Sequence, residues 1–72
     1  MSVGVELSNE DLEAIRKLYK VRWSADIRNW KERDTDYCMW FVYCPNKKGA
    51  YIVETGKCLA EVINRILQKA LE

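Results

Sequence analysis

The apolar residues Leu12, Ile15, Tyr19, Trp23, Ile27 and Trp30 recur at spacings of three or four. That is the period of a helix keeping one face toward a core. Just upstream, Leu7, Ser8, Asp11 and Leu12 form a helix start. Ser8 is the N-cap, Asp11 its capping-box partner, and Leu7 with Leu12 a hydrophobic staple. Ser24 offers the one interruption, because it could cap a second, shorter helix. The pattern over 9–33 therefore predicts either one long bent helix or two consecutive pieces. It stops at Asp34-Thr35-Asp36, a loop composition.

Residues 37–44 and 50–55 are rich in aromatic and branched side chains and predict two strands. Residues 45–49, with Pro45 first and Gly49 last, have the chemistry of a hairpin turn. Pairing Cys44 with Ala50 puts Met39, Phe41, Tyr43, Tyr51 and Val53 on one face. Cys38, Trp40, Val42, Cys44 and Ile52 then share the other. Both faces are apolar; helices can cover one, and the second needs another element, a copy of the chain or a partner. Residues 57–72 predict a closing helix with Leu59, Val62, Ile63, Ile66, Leu67, Ala70 and Leu71 on one side and Glu61, Arg65, Gln68 and Lys69 on the other. Val3, Val5 and Leu7 alternate with polar or small residues and could add an edge strand over 2–7. The expected fold is a single α+β domain over residues 1–72. It is a small two-layer domain of (β)-α-β-β-α order, with an antiparallel hairpin or three-stranded sheet and two helices on one face.

Composition then removes function classes. None of the 72 residues is histidine, so the commonest general base and metal ligand is missing, and with it every Ser/His or Cys/His nucleophile pair. A domain this small buries a modest fraction of its surface, so self-association or a partner would add stability. The longest apolar run, 37–44, is far short of the ~20 residues that span a bilayer. No basic-then-apolar leader opens the chain. Three cysteines, an odd number, fit reduced thiols better than a disulfide framework. The expectation is a cytoplasmic protein without membrane association.

The groups able to do chemistry are few. Cys38 and Cys44 lie six residues apart on one strand, about 20 Å, too far to share a metal ion. The assumed register sets Cys38 opposite Gly56 and near Cys58, a pairing disfavoured in a reducing compartment. Cys58 is the candidate reactive thiol, because a helix first turn beside Lys57 stabilises a thiolate; all three cysteines also suit small apolar positions. Thr55-Gly56-Lys57-Cys58 superficially resembles the end of a phosphate-binding loop, but its spacing to Gly49 is wrong and Cys58 stands where a hydroxyl is needed. Asp34 and Asp36 fit a solvated loop, and Glu6, Glu10, Asp11 and Glu13 suit a helix N-terminus. No catalytic residue, metal site or cofactor is expected, and the chain is not expected to be an enzyme.

Charge changes the picture by position. Residues 1–15 carry four acids and no base, whereas 16–33 carry seven bases and two acids. On a continuous first helix, Lys17, Lys20, Arg28 and Lys31 would fall within an arc of about 80°. Lys47 and Lys48 at the hairpin tip, flanked by Tyr43 and Tyr51, form a second basic feature. Cations beside aromatics suit nucleic acid, through phosphate contact and stacking; a solvated helix face and a polar turn account for the same residues. Double-stranded RNA-binding domains share the two-layer plan. They need a third strand between the helices and a basic cluster opening the last helix, and here Lys57 is the only base in that first turn. No family is assigned.

The expected function is that of a small interaction protein, an adaptor or inhibitor acting on a larger protein or assembly. The eight aromatics, the two-faced ribbon and the lack of chemistry support it. By analogy of size and composition alone, phage or mobile-element products that block host machinery, defence nucleases among them, are of this kind. Its candidate contacts are Trp40, Tyr43, Asn46, Lys47, Lys48 and Tyr51, and a homo-oligomer is compatible with it. The alternative is a nucleic-acid-binding module using Lys17, Lys20, Arg28 and Lys31 with the Lys47-Lys48 tip.

Overall fold

Ser8 starts the first helix as expected. Its Oγ accepts from the Asp11 N–H at 3.2 Å, and its own N–H donates to Asp11 Oδ2 at 3.2 Å. This capping box opens α1, Asn9–Val21. In the computed structural model, which describes residues 7–34 and 38–71, the chain continues as β1 (Asp26–Lys31), β2 (Cys38–Pro45), β3 (Tyr51–Gly56) and α2 (Leu59–Ala70). The three strands form one antiparallel sheet in the order β1-β2-β3. Apart from Leu7, the edge strand expected over 2–7 lies outside the described residues, as does most of the loop expected at 34–36.

The small α+β plan holds, with a strand where the second part of the first helix was expected. Residues 26–31 were expected to be helical and instead pair with β2, from Asp26 opposite Tyr43 to Lys31 opposite Cys38. The helix stops at Val21, and Ala25 N–H bonds the Arg22 carbonyl at 3.0 Å to turn the chain. The apolar spacing of Trp23, Ile27 and Trp30 was a coincidence of period. Trp23 is 85% exposed in the turn, and Ile27 and Trp30 sit on opposite faces of β1.

The hairpin register also differs. Cys44 pairs with Ile52 rather than Ala50, and Gly56 lies opposite Trp40 rather than Cys38. An even shift of this kind leaves every side chain on its expected face. Asn46 closes the turn: its Oδ1 accepts from Lys48 N–H at 2.8 Å and from Ala50 N–H at 3.0 Å. Gly49 takes φ of 87°, the left-handed conformation that favours glycine.

α2 forms the centre of the core. Leu59, Ala60, Val62, Ile63, Ile66, Leu67 and Ala70 are all buried, between β2 and β3 on one side and α1 on the other. From the sheet, Val42 and Cys44 meet this helix, with Ile27, Trp40 and Ile52 packed around them. α1 docks on α2 through Ala14 and Leu18, leaving Leu12 and Tyr19 of the expected stripe exposed. No Cα of α1 comes within 8 Å of a strand Cα, so it packs mainly on α2 and a narrow face suffices for it.

Two polar residues tie these layers together. Asp11 uses Oδ1 to accept the Ala60 N–H at 3.1 Å, so the residue that boxes the start of α1 also caps α2. Cys58, at the N-cap of α2, gives no side-chain cap bond of its own. Arg22 donates to the carbonyls of Val21 (3.0 Å), Pro45 (3.2 Å) and Ala70 (3.4 Å). This places one cation at the C-terminal ends of both helices, where the helix dipoles favour it.

Candidate functional site

Because α2 takes one side of the sheet, the opposite side has no helix over it among the described residues. Strand alternation decides what it presents: Asp26, Arg28 and Trp30 from β1, then Met39, Phe41 and Tyr43 from β2, then Tyr51, Val53 and Thr55 from β3. Trp30 is 50% exposed, Tyr51 60% and Val53 46%, high values for large apolar side chains. The described strand residues of this open face are rich in Trp, Tyr, Phe, Met and Arg and include no Lys or Glu, the bias of a recognition surface. Lysines and glutamates lie instead on the two helices, at the hairpin tip and on the helix-covered side of the sheet.

At the end of this face nearest the hairpin tip, Asp26, Arg28, Tyr43 and Tyr51 line an open hollow of about 360 Å³. Arg28 Nε donates to Asp26 Oδ2 at 2.9 Å, and the guanidinium lies over the Tyr43 ring, 5.9 Å from its centre. The Asp26 hydrogen bond, and then its charge, raises the Arg28 pKa above its ordinary value. Held by a carboxylate and an aromatic face, the guanidinium is a pre-oriented donor fork.

The expected contacts divide. Tyr43 and Tyr51 are on the open face, and Lys47 and Lys48 are exposed at the adjoining tip. Trp40 is corrected: it lies on the helix-covered side, half-buried against the core, because its pairing with Asn29 and Gly56 turns it toward α2. Asn46 is used in building the turn. The basic arc is corrected as well. Lys17 and Lys20 are exposed on α1, but Arg28 and Lys31 belong to β1 and point to opposite faces of the sheet. Lys17 also shares a hollow of about 180 Å³ with Glu10 and Glu13, which offset its charge.

Sequence reasoning missed Asp26 and the role of Arg28. Their signal was the i, i+2 spacing of a strand, hidden by the helical reading of 9–33.

The thiols offer no shared chemistry. All three are free: Cys44 buried, Cys38 half-buried and Cys58 exposed. Burial raises the Cys44 pKa despite the nearby Arg22 charge, so this thiol stays protonated. Cys38 Sγ accepts from Asn29 Nδ2 at 2.8 Å across the β1–β2 pair. Among the described residues, no group of three or more Cys, Asp or Glu is arranged to hold a metal ion. Neither helix is long and apolar enough to cross a membrane.

The order α-β-β-β-α supplies the third strand between the helices that double-stranded RNA-binding domains need. The second requirement is still unmet, since Lys57 is followed by Cys58, Leu59, Ala60 and Glu61 at the start of α2. Element order alone carries no function. Compared with protein families, curated proteins and solved structures, the chain matches none.

Proposed function

We propose that this protein acts by binding a larger protein through the open face of its sheet, as an adaptor or an inhibitor. One observation carries this reading: Trp30, Phe41, Tyr43, Tyr51 and Val53 share a face that no described element covers. Interface energy concentrates in Trp, Tyr and Arg, and this face holds all three. The covered face already supplies the core, which leaves the second set of apolar residues available to a partner.

A pull-down from nuclease-treated extract of the source cells, with sedimentation of the free chain, tests the reading. A protein partner retained after nuclease treatment and lost on Tyr51→Ala supports it. A strictly monomeric chain that retains no protein refutes it. An inhibitor of host machinery carried by a mobile element is one form such a protein would take; size and composition are the support for that narrower role.

Nucleic-acid binding is the second reading, supported by Lys47 and Lys48 at the exposed tip beside Tyr51. It predicts affinity falling steeply between about 50 and 200 mM salt. It is the weaker reading, because the four-residue basic arc expected on one helix is divided between α1 and two faces of β1.

A further inference from the structure

We propose that the hollow between Asp26, Arg28, Tyr43 and Tyr51 receives a carboxylate side chain from an acidic segment of the protein partner, with Arg28 as its receiving group. The proposal rests on the open-face reading above and names the chemistry that would be recognised there. Arg28 Nε is engaged by Asp26 at 2.9 Å, and Nη1 and Nη2 have no acceptor among the described residues. Its side chain is 71% exposed, so those two donors are open to a ligand. A guanidinium with one edge held and another vacant matches the two oxygens of a carboxylate. The hollow, about 360 Å³, has room for an Asp or Glu side chain and its neighbours.

Charge favours an acidic occupant. Lys47 and Lys48 lie in the turn just past Asn46, close to the β2 end where Pro45 pairs with Tyr51, and neither has an ion-pair partner among the described residues. With Arg28 they outnumber Asp26, the one carboxylate lining the hollow among the described residues. The surroundings favour a peptide over a nucleic-acid strand. Tyr43 and Tyr51 continue into Phe41 and Val53, an apolar floor for residues flanking the acid. A phosphate backbone would instead call for a row of cations along the face, where Arg28 is the one cation among the described strand residues.

The test is a titration of the full chain with a short peptide alternating Glu and Leu, followed by nitrogen-edited NMR including the arginine side chains. A same-length Gln–Leu peptide, a single-stranded oligonucleotide and an RNA duplex are titrated in parallel. The Glu peptide is expected to move the Arg28 Nε signal and the Tyr43 and Tyr51 amides. The Gln peptide and the Arg28→Gln variant should each weaken binding by at least about tenfold, the scale of a charge-assisted hydrogen bond. Arg28→Lys, with the charge but not the fork, should lose most of it as well. Equal binding of the Gln peptide, undiminished binding by Arg28→Lys, or preferential movement of the same signals by either nucleic acid overturns the proposal. If wild type captures its protein partner, Tyr51→Ala loses it and Arg28→Gln keeps it, the carboxylate seat is wrong and the open face stands. If Tyr51→Ala also keeps it, the face reading fails too.

Discussion

Replacing Asp11 with alanine should unfold the domain more readily than a surface substitution has any reason to. Asp11 accepts the Ser8 N–H at 3.2 Å through Oδ2 and the Ala60 N–H at 3.1 Å through Oδ1, so one carboxylate serves two helix N-termini. A lost cap costs about 1 kcal/mol. Two caps, together with the negative charge at two dipole ends, bring the loss to roughly 2–3 kcal/mol. For a domain of this size that corresponds to a fall in Tm of about 8–24 °C. Urea unfolding followed by far-ultraviolet circular dichroism measures it, with an unchanged denaturant slope showing that the native state is intact. Ser8→Ala is the matched control, because it removes an α1 cap and leaves the Asp11–Ala60 bond in place. Asp11→Ala should therefore cost about 1–2 kcal/mol more than Ser8→Ala. Equal losses would show that Asp11 acts on α1 alone and would refute the bridging role.

Gly56→Ala should destabilise by about 1–3 kcal/mol through overpacking, since its Cβ would meet Val62 Cγ2 at 2.8 Å and Arg65 Nη2 at 3.0 Å; urea midpoints check it. The Glu54 carboxyl is held below its ordinary value of 4.5, first by its hydrogen bond with Lys69 and then by Arg65. A depressed folded pKa contributes stability above pH 4.5 that is lost as pH falls through the folded value. The stability gap between wild type and Glu54→Gln should accordingly narrow on acidification; a gap constant with pH would argue against the ion pairs. Iodoacetamide should label exposed Cys58 in the native chain and spare buried Cys44 until denaturant is added. Labelling of Cys44 at the Cys58 rate would contradict its place in the core.

The elements that could be read from sequence were those whose signals are local. Ser8 and Asp11 announce a helix start by spacing, and α2 shows an apolar stripe that its burial reproduces except at Leu71. The two-faced ribbon was readable despite a register wrong by two residues, because an even slip keeps every side chain on its face. β1 was not readable. No helix Cα comes within 8 Å of it and only Ile27 packs against the core, so inward-facing Asn29 and Lys31 are polar and the alternation that marks a half-buried strand never develops. A false helical period joined Tyr19, Trp23, Ile27 and Trp30 across the break, and it also created the basic arc. The hollow at Arg28 was lost with it, since that site exists only when β1 lies beside β2. The second cap made by Asp11 depends on how α1 docks against α2, which no local pattern encodes.

The sheet face opposite α2 is the proposed interface. Comparing partner capture by Trp30→Ala and Tyr51→Ala, both on that face, with capture by Lys17→Ala and Lys20→Ala on α1 tests it most directly. Each variant is melted alongside the wild type. The account predicts that the two open-face variants lose capture while keeping a Tm within a few degrees of the wild type, and that the α1 variants bind normally. Retained capture by both open-face variants, or loss confined to the lysine variants, would contradict it.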